Sequence, residues 1–194
     1  MRPRLFLSGP IGCGKSTLIK NALGPLAARA GGFVTLRLEE GGRTSGFEIR
    51  PAAALTDIEK HKGRRFLSFE SGETSRDDAA FSDYAASLLT SAVESRFAVI
   101  DETGGFELLL PEFCEALKGF LNTGTPCLGV LKAQDAAVEL AQRINLGEDY
   151  LKEARRLRFF LENDSDSQIL ETTGRGDLEA ERALKEWVRL YAGG

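Results

Sequence analysis

The sequence predicts an α/β fold whose sheet is mostly parallel and carries one antiparallel hairpin early in the chain. Short apolar runs alternate with segments that place apolar residues every three or four positions, a pattern typical of strands alternating with amphipathic helices. A glycine-rich segment, residues 9–16, joins the first apolar run to the first helical segment. Apolar and polar residues alternate over 34–38, and Gly41-Gly42 then favours a hairpin turn into a returning strand at 46–49.

The other elements follow from the same two periods. The continuous apolar run at 97–100 indicates a strand buried on both faces. Pro25 is expected to shorten or kink the first helix, Pro111 suits a first helical turn, and Asp177 suits an N-cap. In chain order we predict a strand at 5–8, a helix at 15–29, the hairpin at 31–49, a strand at 66–69, a polar loop at 71–78, a helix at 78–96, a strand at 97–100, a helix at 111–122, a strand at 127–131, helices at about 137–144 and 148–157, a strand at 158–161 and a last helix from 177.

Composition limits the classes of protein that this chain can belong to. Its 194 residues, 42% hydrophobic and 28% charged, suit one globular domain over residues 1–194. The net charge of −4 argues against a general nucleic-acid-binding surface, and no apolar run reaches the length of a membrane span. The chain enters a strand almost at once, so we expect no signal peptide. Its three cysteines form no disulfide framework and no zinc-site spacing, which suits the reducing cytoplasm.

The glycine-rich segment has the spacing of a phosphate-binding loop, the Walker A or P-loop motif Gly-x-x-x-x-Gly-Lys-[Ser/Thr]. Such a loop directs backbone N–H groups and the positive end of a helix at a polyphosphate. Lys15 can place a cation on the β- and γ-phosphates, and Ser16 can offer its hydroxyl to Mg²⁺. The sequence therefore predicts a nucleoside triphosphate site formed by Gly9, Pro10, Ile11, Gly12, Cys13, Gly14, Lys15, Ser16 and Thr17.

A pair of acids directly after the buried strand at 97–100 provides the second half of the site, the Walker B element. The carboxyl ends of parallel strands face the ligand crevice, so Asp101 is placed to hold Mg²⁺ and Glu102 to deprotonate the attacking water. Lys132 follows the strand at 127–131 and reaches the same edge, where it either stabilises the γ-phosphate or is simply solvated. Arg37 and Arg43 on the hairpin could also cover the phosphates.

The chain resembles the cancer-related nucleoside triphosphatase family over about residues 4–170. The shared features are the phosphate-binding loop, Gly-Phe pairs on both sides of the hairpin turn, and an Asp-Glu-x-Gly-x-x-Glu-Leu element at residues 101–108. The resemblance implies a RecA-like three-layer α/β/α sandwich and slow, Mg²⁺-dependent hydrolysis of ATP, GTP and other triphosphates. It also implies that Glu107 is a second acid and that Asn163 lies near the base, although Asp164 stands where the family often has arginine.

Three functions remain open at this point. The first is a nucleoside triphosphatase that releases phosphate without an acceptor. The second is a kinase for a nucleoside, nucleotide or other small molecule, with the arginine-rich stretch 153–158 as a lid. The third is a nucleotide-dependent switch, which the absence of the guanine-selecting Asn-Lys-x-Asp motif disfavours. The sequence indicates neither a protein partner nor a base preference.

Overall fold

An eight-stranded sheet forms the centre of the protein, which is described here from a computed structural model of residues 1–70 and 73–193. The strands are β1 Arg4–Ser8, β2 Gly31–Glu40, β3 Arg43–Pro51, β4 Arg64–Glu70, β5 Glu73–Arg76, β6 Ala98–Thr103, β7 Cys127–Leu131 and β8 Ser167–Glu171. The helices are α1 Lys15–Leu23, α2 Ala86–Ala92, α3 Pro111–Leu121, α4 Gln134–Arg143, α5 Glu148–Asn163 and α6 Leu178–Trp187. Their alternation in the chain confirms the predicted α/β class.

The strand order is β5-β4-β3-β2-β6-β7-β1-β8. All pairs from β2 to β8 along this order are parallel, and the three pairs among β2, β3, β4 and β5 are antiparallel. The predicted hairpin is the β2–β3 pair, with Gly41 and Gly42 in the turn at φ 57° and 76°. β7 lies between β1 and β6, so the phosphate-binding loop and the acid pair come from strands that are not neighbours.

Helices cover both faces of the sheet, which gives the predicted three-layer sandwich. On β1, the buried side chains of Leu5 and Leu7 belong to one core cluster and that of Phe6 to the other. The first cluster includes residues of α1 and α6, and the second includes residues of α2, α3 and α5. The alternation of strand side chains thus assigns each helix to a face. No helix within the described residues has the length and apolar character needed to cross a membrane.

Two of the predicted elements are wrong. Residues 158–161 are not a strand, because α5 continues through them to Asn163 and the strand comes later, at Ser167–Glu171. The polar loop predicted at 71–78 includes the short strand β5, whose residues are all exposed at the sheet edge and so carry no apolar alternation. Residues 71 and 72 of that loop lie outside the described part of the chain.

The first helix is shorter than predicted. α1 ends at Leu23, and the six residues Gly24–Arg29 form a 3₁₀ turn that has Pro25 near its start. A proline removes a backbone donor and clashes with the preceding turn, so it favours this break. The predicted helix at 78–96 likewise divides into a π-helical turn at Ala80–Ala85 and α2.

β2 and β6 pair so closely at Gly32 that there is no room for a side chain. This residue has φ 82°, and a Cβ atom built on it would lie 2.3 Å from the carbonyl oxygen of Val99. We expect Gly32→Ala to lower the free energy of unfolding by about 2–4 kcal/mol, because the strands must separate and the backbone is strained. Chemical denaturation monitored by circular dichroism measures this change.

Gly119 is the matched control, because it lies exposed inside α3 with no atom within 4 Å of an added Cβ. Gly119→Ala should raise the free energy of unfolding by about 0.5–1 kcal/mol through helix propensity. If both alanine variants had the same stability, the close contact between β2 and β6 would not be a constraint on this fold.

Candidate functional site

The loop between β1 and α1 curls around the ammonium group of Lys15. Lys15 Nζ donates hydrogen bonds to the carbonyl oxygens of Gly9 and Pro10, each at 2.7 Å, so the cation is held inside the curve of the loop. Gly9 has φ 152°, and a Cβ atom there would lie 2.1 Å from the carbonyl oxygen of Thr172. The loop is therefore pressed against the end of β8, and its first position accepts only glycine.

A β-bulge in β6 directs two consecutive carboxylates toward this loop. Ile100 pairs with Gly129 and Thr103 with Leu131, so Asp101 and Glu102 together oppose a single residue of β7. In a regular strand these neighbours would point to opposite faces, whereas a bulge re-aims one of them. Glu102 has φ 64°, an unusual value for a residue with a side chain, and this strain accompanies the re-aiming.

Asp101 joins β6 to the start of α1. Its Oδ1 atom accepts a hydrogen bond of 2.9 Å from the Ser16 hydroxyl, and the residue is only 2% exposed. Burial and the neighbouring charge of Glu102 raise the pKa of Asp101 to about 7. A buried carboxylate that holds its negative charge this poorly is well suited to a cation, and Mg²⁺ favours carboxylate and hydroxyl oxygens.

Two residues hold the carboxylate of Glu102 in the cleft. Lys132 Nζ donates to Oε1 at 2.9 Å, and the Thr35 hydroxyl donates to Oε2 at 3.1 Å. Desolvation in the cleft opposes ionisation of Glu102, but the Lys132 ammonium and the two hydrogen bonds outweigh it and lower its pKa. The side chain of Glu102 is 42% exposed, so a ligand in the cleft can reach it.

Lys132 is fixed by its own strand end and by the turn beside it. Its side chain is 11% exposed, and the charge of Glu102 outweighs desolvation and raises the pKa of the ammonium group. Next to it, Glu107 accepts hydrogen bonds from the backbone N–H groups of Gly104 and Gly105 at 2.8 and 2.7 Å. Tyr150 donates to the Gly104 carbonyl oxygen at 2.8 Å, so this turn is tied from both sides. Burial raises the pKa of Glu107.

The structure brings most of the predicted site residues around one cleft of about 380 Å³. Pro10 and Cys13 complete the loop without lining this cleft. The predicted residues that line it are Gly9, Ile11, Gly12, Gly14, Lys15, Ser16, Thr17, Asp101, Glu102 and Lys132. Within the described residues, no group of three or more His, Cys, Asp or Glu side chains could hold a metal ion. The assignment of Ser16 and Asp101 as metal ligands stays a prediction.

Asn163 does not join the site, contrary to what the resemblance implies. It is the exposed last residue of α5, and its side-chain amide donates to the Phe159 carbonyl oxygen at 2.7 Å. The next residue, Asp164, forms a 2.6 Å ion pair with Arg4, which begins β1. The phosphate-binding loop follows the other end of β1, roughly 15 Å away at the rise of a strand. Asn163 and Asp164 therefore lie at the opposite edge of the sheet from Glu102.

Sequence reasoning missed two polar residues that line the cleft. Thr35 is a polar residue in the half-buried strand β2, and only the folded hairpin places its hydroxyl on Glu102. Arg175 lies in the loop after β8, where its backbone N–H donates to the Cys13 carbonyl oxygen at 3.1 Å and its side chain packs over Gly14. The loop after a parallel strand is a good place to look for ligand-binding residues, but the misplaced last strand concealed this one.

Comparison with known proteins identifies relatives of this chain. The model of a family described as NTPase matches residues 4–153. The human cancer-related nucleoside-triphosphatase is 33% identical over 146 residues, which cover 68% of this chain and 76% of the relative. Nucleoside-triphosphatase THEP1 of Methanosarcina acetivorans is 30% identical over 156 residues, which cover 76% of this chain and 86% of the relative.

Solved structures share the fold over almost the whole chain. The crystal structure of THEP1 from the hyperthermophile Aquifex aeolicus aligns with a TM-score of 0.61 and 21% identity, covering 97% of this chain and 98% of that one. The solution structure of a human cancer-related nucleoside triphosphatase aligns with a TM-score of 0.63 and 24% identity, covering 96% of each chain. At these identities the alignments establish the architecture alone.

The raised pKa of Asp101 predicts how stability changes with pH. Between about pH 4 and pH 7 the folded protein keeps the Asp101 proton while the unfolded chain has released it, so rising pH reduces the free energy of unfolding. Without divalent metal, Asp101→Asn should therefore be more stable than the unmodified protein by about 2 kcal/mol or more at pH 8, with little difference near pH 4. Urea denaturation in EDTA at several pH values measures this difference.

Asp149→Asn, at an exposed position in the first turn of α5, is the control and should not change the pH profile in this way. Added Mg²⁺ should stabilise the unmodified protein more than Asp101→Asn. If the free energy of unfolding changed with pH in the same way in the unmodified protein and in Asp101→Asn, burial would not raise the pKa of Asp101.

Proposed function

Because the chain belongs to the nucleoside-triphosphatase family, we propose that it hydrolyses nucleoside triphosphates to the diphosphate and phosphate, with Glu102 activating the water. The observation that carries this proposal is the bulge in β6, which directs the side chains of both Asp101 and Glu102 toward the phosphate-binding loop. One acid then lies on the Ser16 hydroxyl, and the other lies open to the cleft. This division of roles suits metal binding and water activation on adjacent residues.

Phosphate binding rests on the loop and on Lys15. Backbone N–H groups at the start of α1 and the positive end of the helix favour an anion there. Lys15 already has its ammonium inside the loop, on the carbonyl oxygens of Gly9 and Pro10. Phosphate oxygens are stronger acceptors for a cation than these carbonyl groups, so Lys15 exchanges one set of contacts for the other with little movement.

Ser16 and Asp101 would hold Mg²⁺. Their oxygens fit a hard divalent cation, and the raised pKa of Asp101 shows that its surroundings do not fully offset its negative charge. The bound ion would neutralise charge on the β- and γ-phosphates.

Glu102 is the proposed general base. Thr35 and Lys132 fix its two carboxylate oxygens, so it can accept a proton from water at the γ-phosphate in a defined orientation. Lys132 also makes Glu102 a weaker base by lowering its pKa. A γ-phosphate competes for the same ammonium group, and once Lys132 turns toward it, Glu102 becomes more basic. Lys132 thereby links base strength to the presence of substrate.

We extend the proposal to broad base selectivity, with ATP and GTP both accepted. Support comes from four cations that line the cleft beside the loop backbone, namely Lys15, Lys132, Arg37 and Arg175. These groups recognise phosphate rather than a base edge. We also propose a cytoplasmic location, which the free thiols of Cys13, Cys114 and Cys127 support.

The alternative of a kinase needs an acceptor site and a lid. The stretch 153–158 does not resemble a lid, because it lies within α5 and Arg158 donates to Ser8 Oγ at 2.7 Å and to Glu171 at 3.1 Å. One observation does favour an acceptor, namely a cavity that adjoins Glu102 and is considered below.

A phosphate-release assay with ATP, GTP, CTP and UTP tests the proposed function. We expect release from all four triphosphates with Mg²⁺ and very little in EDTA. Glu102→Gln should lower kcat by about 10²–10⁴-fold, because the amide cannot accept the proton from water. Glu115→Gln, an exposed change on α3, is the matched control. Equal rates for Glu102→Gln and the unmodified protein would contradict the assignment of the base.

Thr35 is a positioning residue, and its role predicts a change in pH dependence. Thr35→Val removes the hydroxyl bonded to Glu102 but keeps the shape of the side chain. Since that hydrogen bond favours the carboxylate, its loss should raise the pKa of Glu102 and move the acid limb of the kcat profile to higher pH. Because Thr35→Val also leaves one carboxylate oxygen of Glu102 without its hydrogen bond, the base is less well oriented, and we expect kcat to fall about tenfold at pH 7 with little change in KM.

Thr35→Ser restores the hydroxyl and should restore both kcat and the acid limb of the profile. A purely structural role for Thr35 would leave the pH profile unchanged in Thr35→Val and change only the amount of folded protein.

A further inference from the structure

An aromatic cavity adjoins the carboxylate of Glu102, and Ile11 of the phosphate-binding loop also lines it. Its volume is about 190 Å³, and five phenylalanine side chains from β3, β4, the π-helical turn and the turn after β6 form its wall. These residues, which define the aromatic cavity, are Phe47, Phe66, Phe69, Phe81 and Phe106.

The wall of the aromatic cavity is preformed. The rings of Phe66 and Phe81 pack edge to face with centroids 4.9 Å apart, and those of Phe81 and Phe106 do so at 5.4 Å. Phe81 and Phe106 are 2% and 4% exposed. Rings that support one another in this way keep the cavity open, so a ligand need not pay to create it.

The aromatic cavity opens directly into the phosphate cleft. Seven residues line both spaces, so the carboxylate of Glu102 lies at their boundary; they are Ile11, Thr35, Arg37, Phe47, Glu102, Lys132 and Ala136. Lys15 and the loop fix the triphosphate on one side of that boundary, with its γ end toward Glu102. A molecule in the aromatic cavity would then approach the γ-phosphate from the side of Glu102, and in-line transfer requires this side to lie opposite the leaving diphosphate.

The size and lining of the aromatic cavity select a planar ligand. A cavity of about 150 Å³ holds a benzene ring, so one of 190 Å³ suits a system of one or two rings. At its rim, Arg37 lies 5.9 Å from the ring centroid of Phe47, and Arg143 lies 5.5 Å from that of Phe69. Arginine planes and aromatic rings together favour stacking with nucleobases. Binding of a water molecule alone would not require such a surface.

We propose that the aromatic cavity binds the base of a nucleoside, whose sugar hydroxyl reaches Glu102 and accepts the γ-phosphoryl group. This inference rests on the proposed roles of the loop and Glu102, and adds a second substrate to them. The hydroxyl oxygen forms a bond to the γ-phosphorus while the bond from that phosphorus to the β–γ bridging oxygen breaks. The electron pair leaves with the nucleoside diphosphate, and the hydroxyl proton passes to Glu102. Hydrolysis is the same reaction with water as acceptor.

The test incubates the protein with Mg²⁺, γ-³²P-labelled ATP and, in turn, adenosine, guanosine, cytidine or uridine at millimolar concentration. Anion-exchange chromatography separates labelled inorganic phosphate from labelled nucleoside monophosphate in the same reaction. We expect at least one nucleoside to give a labelled monophosphate and to raise ATP consumption about tenfold. Labelled phosphate alone with every nucleoside overturns the acceptor site but leaves the triphosphatase function standing. Neither product overturns both.

Two tryptophan variants test whether the acceptor binds in the aromatic cavity. Leu140 lies in α4, Ile144 directly follows it, and both line the cavity. Leu140→Trp and Ile144→Trp fill the aromatic cavity, and each should lower the ratio of labelled monophosphate to labelled phosphate about tenfold or more. Gln142→Trp adds the same side chain at an exposed position of α4 outside the cavity, so it should leave both products unchanged. Thermal melting checks that each variant is folded. One folded variant, either Leu140→Trp or Ile144→Trp, is enough for the test.

An unchanged product ratio in the folded filled variants places the acceptor elsewhere and overturns the proposal.

Discussion

The hydrogen bond from the Ser16 hydroxyl to Asp101 connects the two halves of the site. Ser16 is in the first turn of α1, and Asp101 is on β6, with β7 between that strand and β1. The bond therefore links residues that belong to or follow strands two spacings, roughly 10 Å, apart in the sheet. It holds Asp101 against the start of α1, and the bulge directs the neighbouring Glu102 toward the same loop.

Two adjacent carboxylates have different properties here because their surroundings differ. Asp101 is buried, close to a like charge, and its pKa rises to about 7. Glu102 meets a lysine and a threonine hydroxyl, and its pKa falls. Sequence shows only an Asp-Glu pair. The lowered pKa of Glu102 comes from residues 35 and 132, which are distant in the chain and meet only in the folded sheet.

The sequence predicts best those parts of the fold that local chemistry determines. The loop between β1 and α1, the strand Cys127–Leu131 and the hairpin turn at Gly41 and Gly42 are found where their patterns indicate. Strands without an apolar pattern are missed, as in exposed β5. The apolar residues at 159–161 fit a strand as well as a helix, and α5 includes them because its packed face extends to Leu161. The contact of Thr35 with Glu102 and the remote position of Asn163 depend on tertiary packing, which one sequence does not reveal.

Because of the bulge in β6, the orientation of the two acids depends on the number of residues in the strand as well as on their identity. Deleting a single residue between Ala98 and Thr103 would restore the regular pleat, and one of the two carboxylates would then turn to the far face although both were still present. A substitution can be tolerated or reversed one side chain at a time, whereas a change in length displaces the whole arrangement at once. In the evolution of this strand, insertions and deletions are therefore the costlier events.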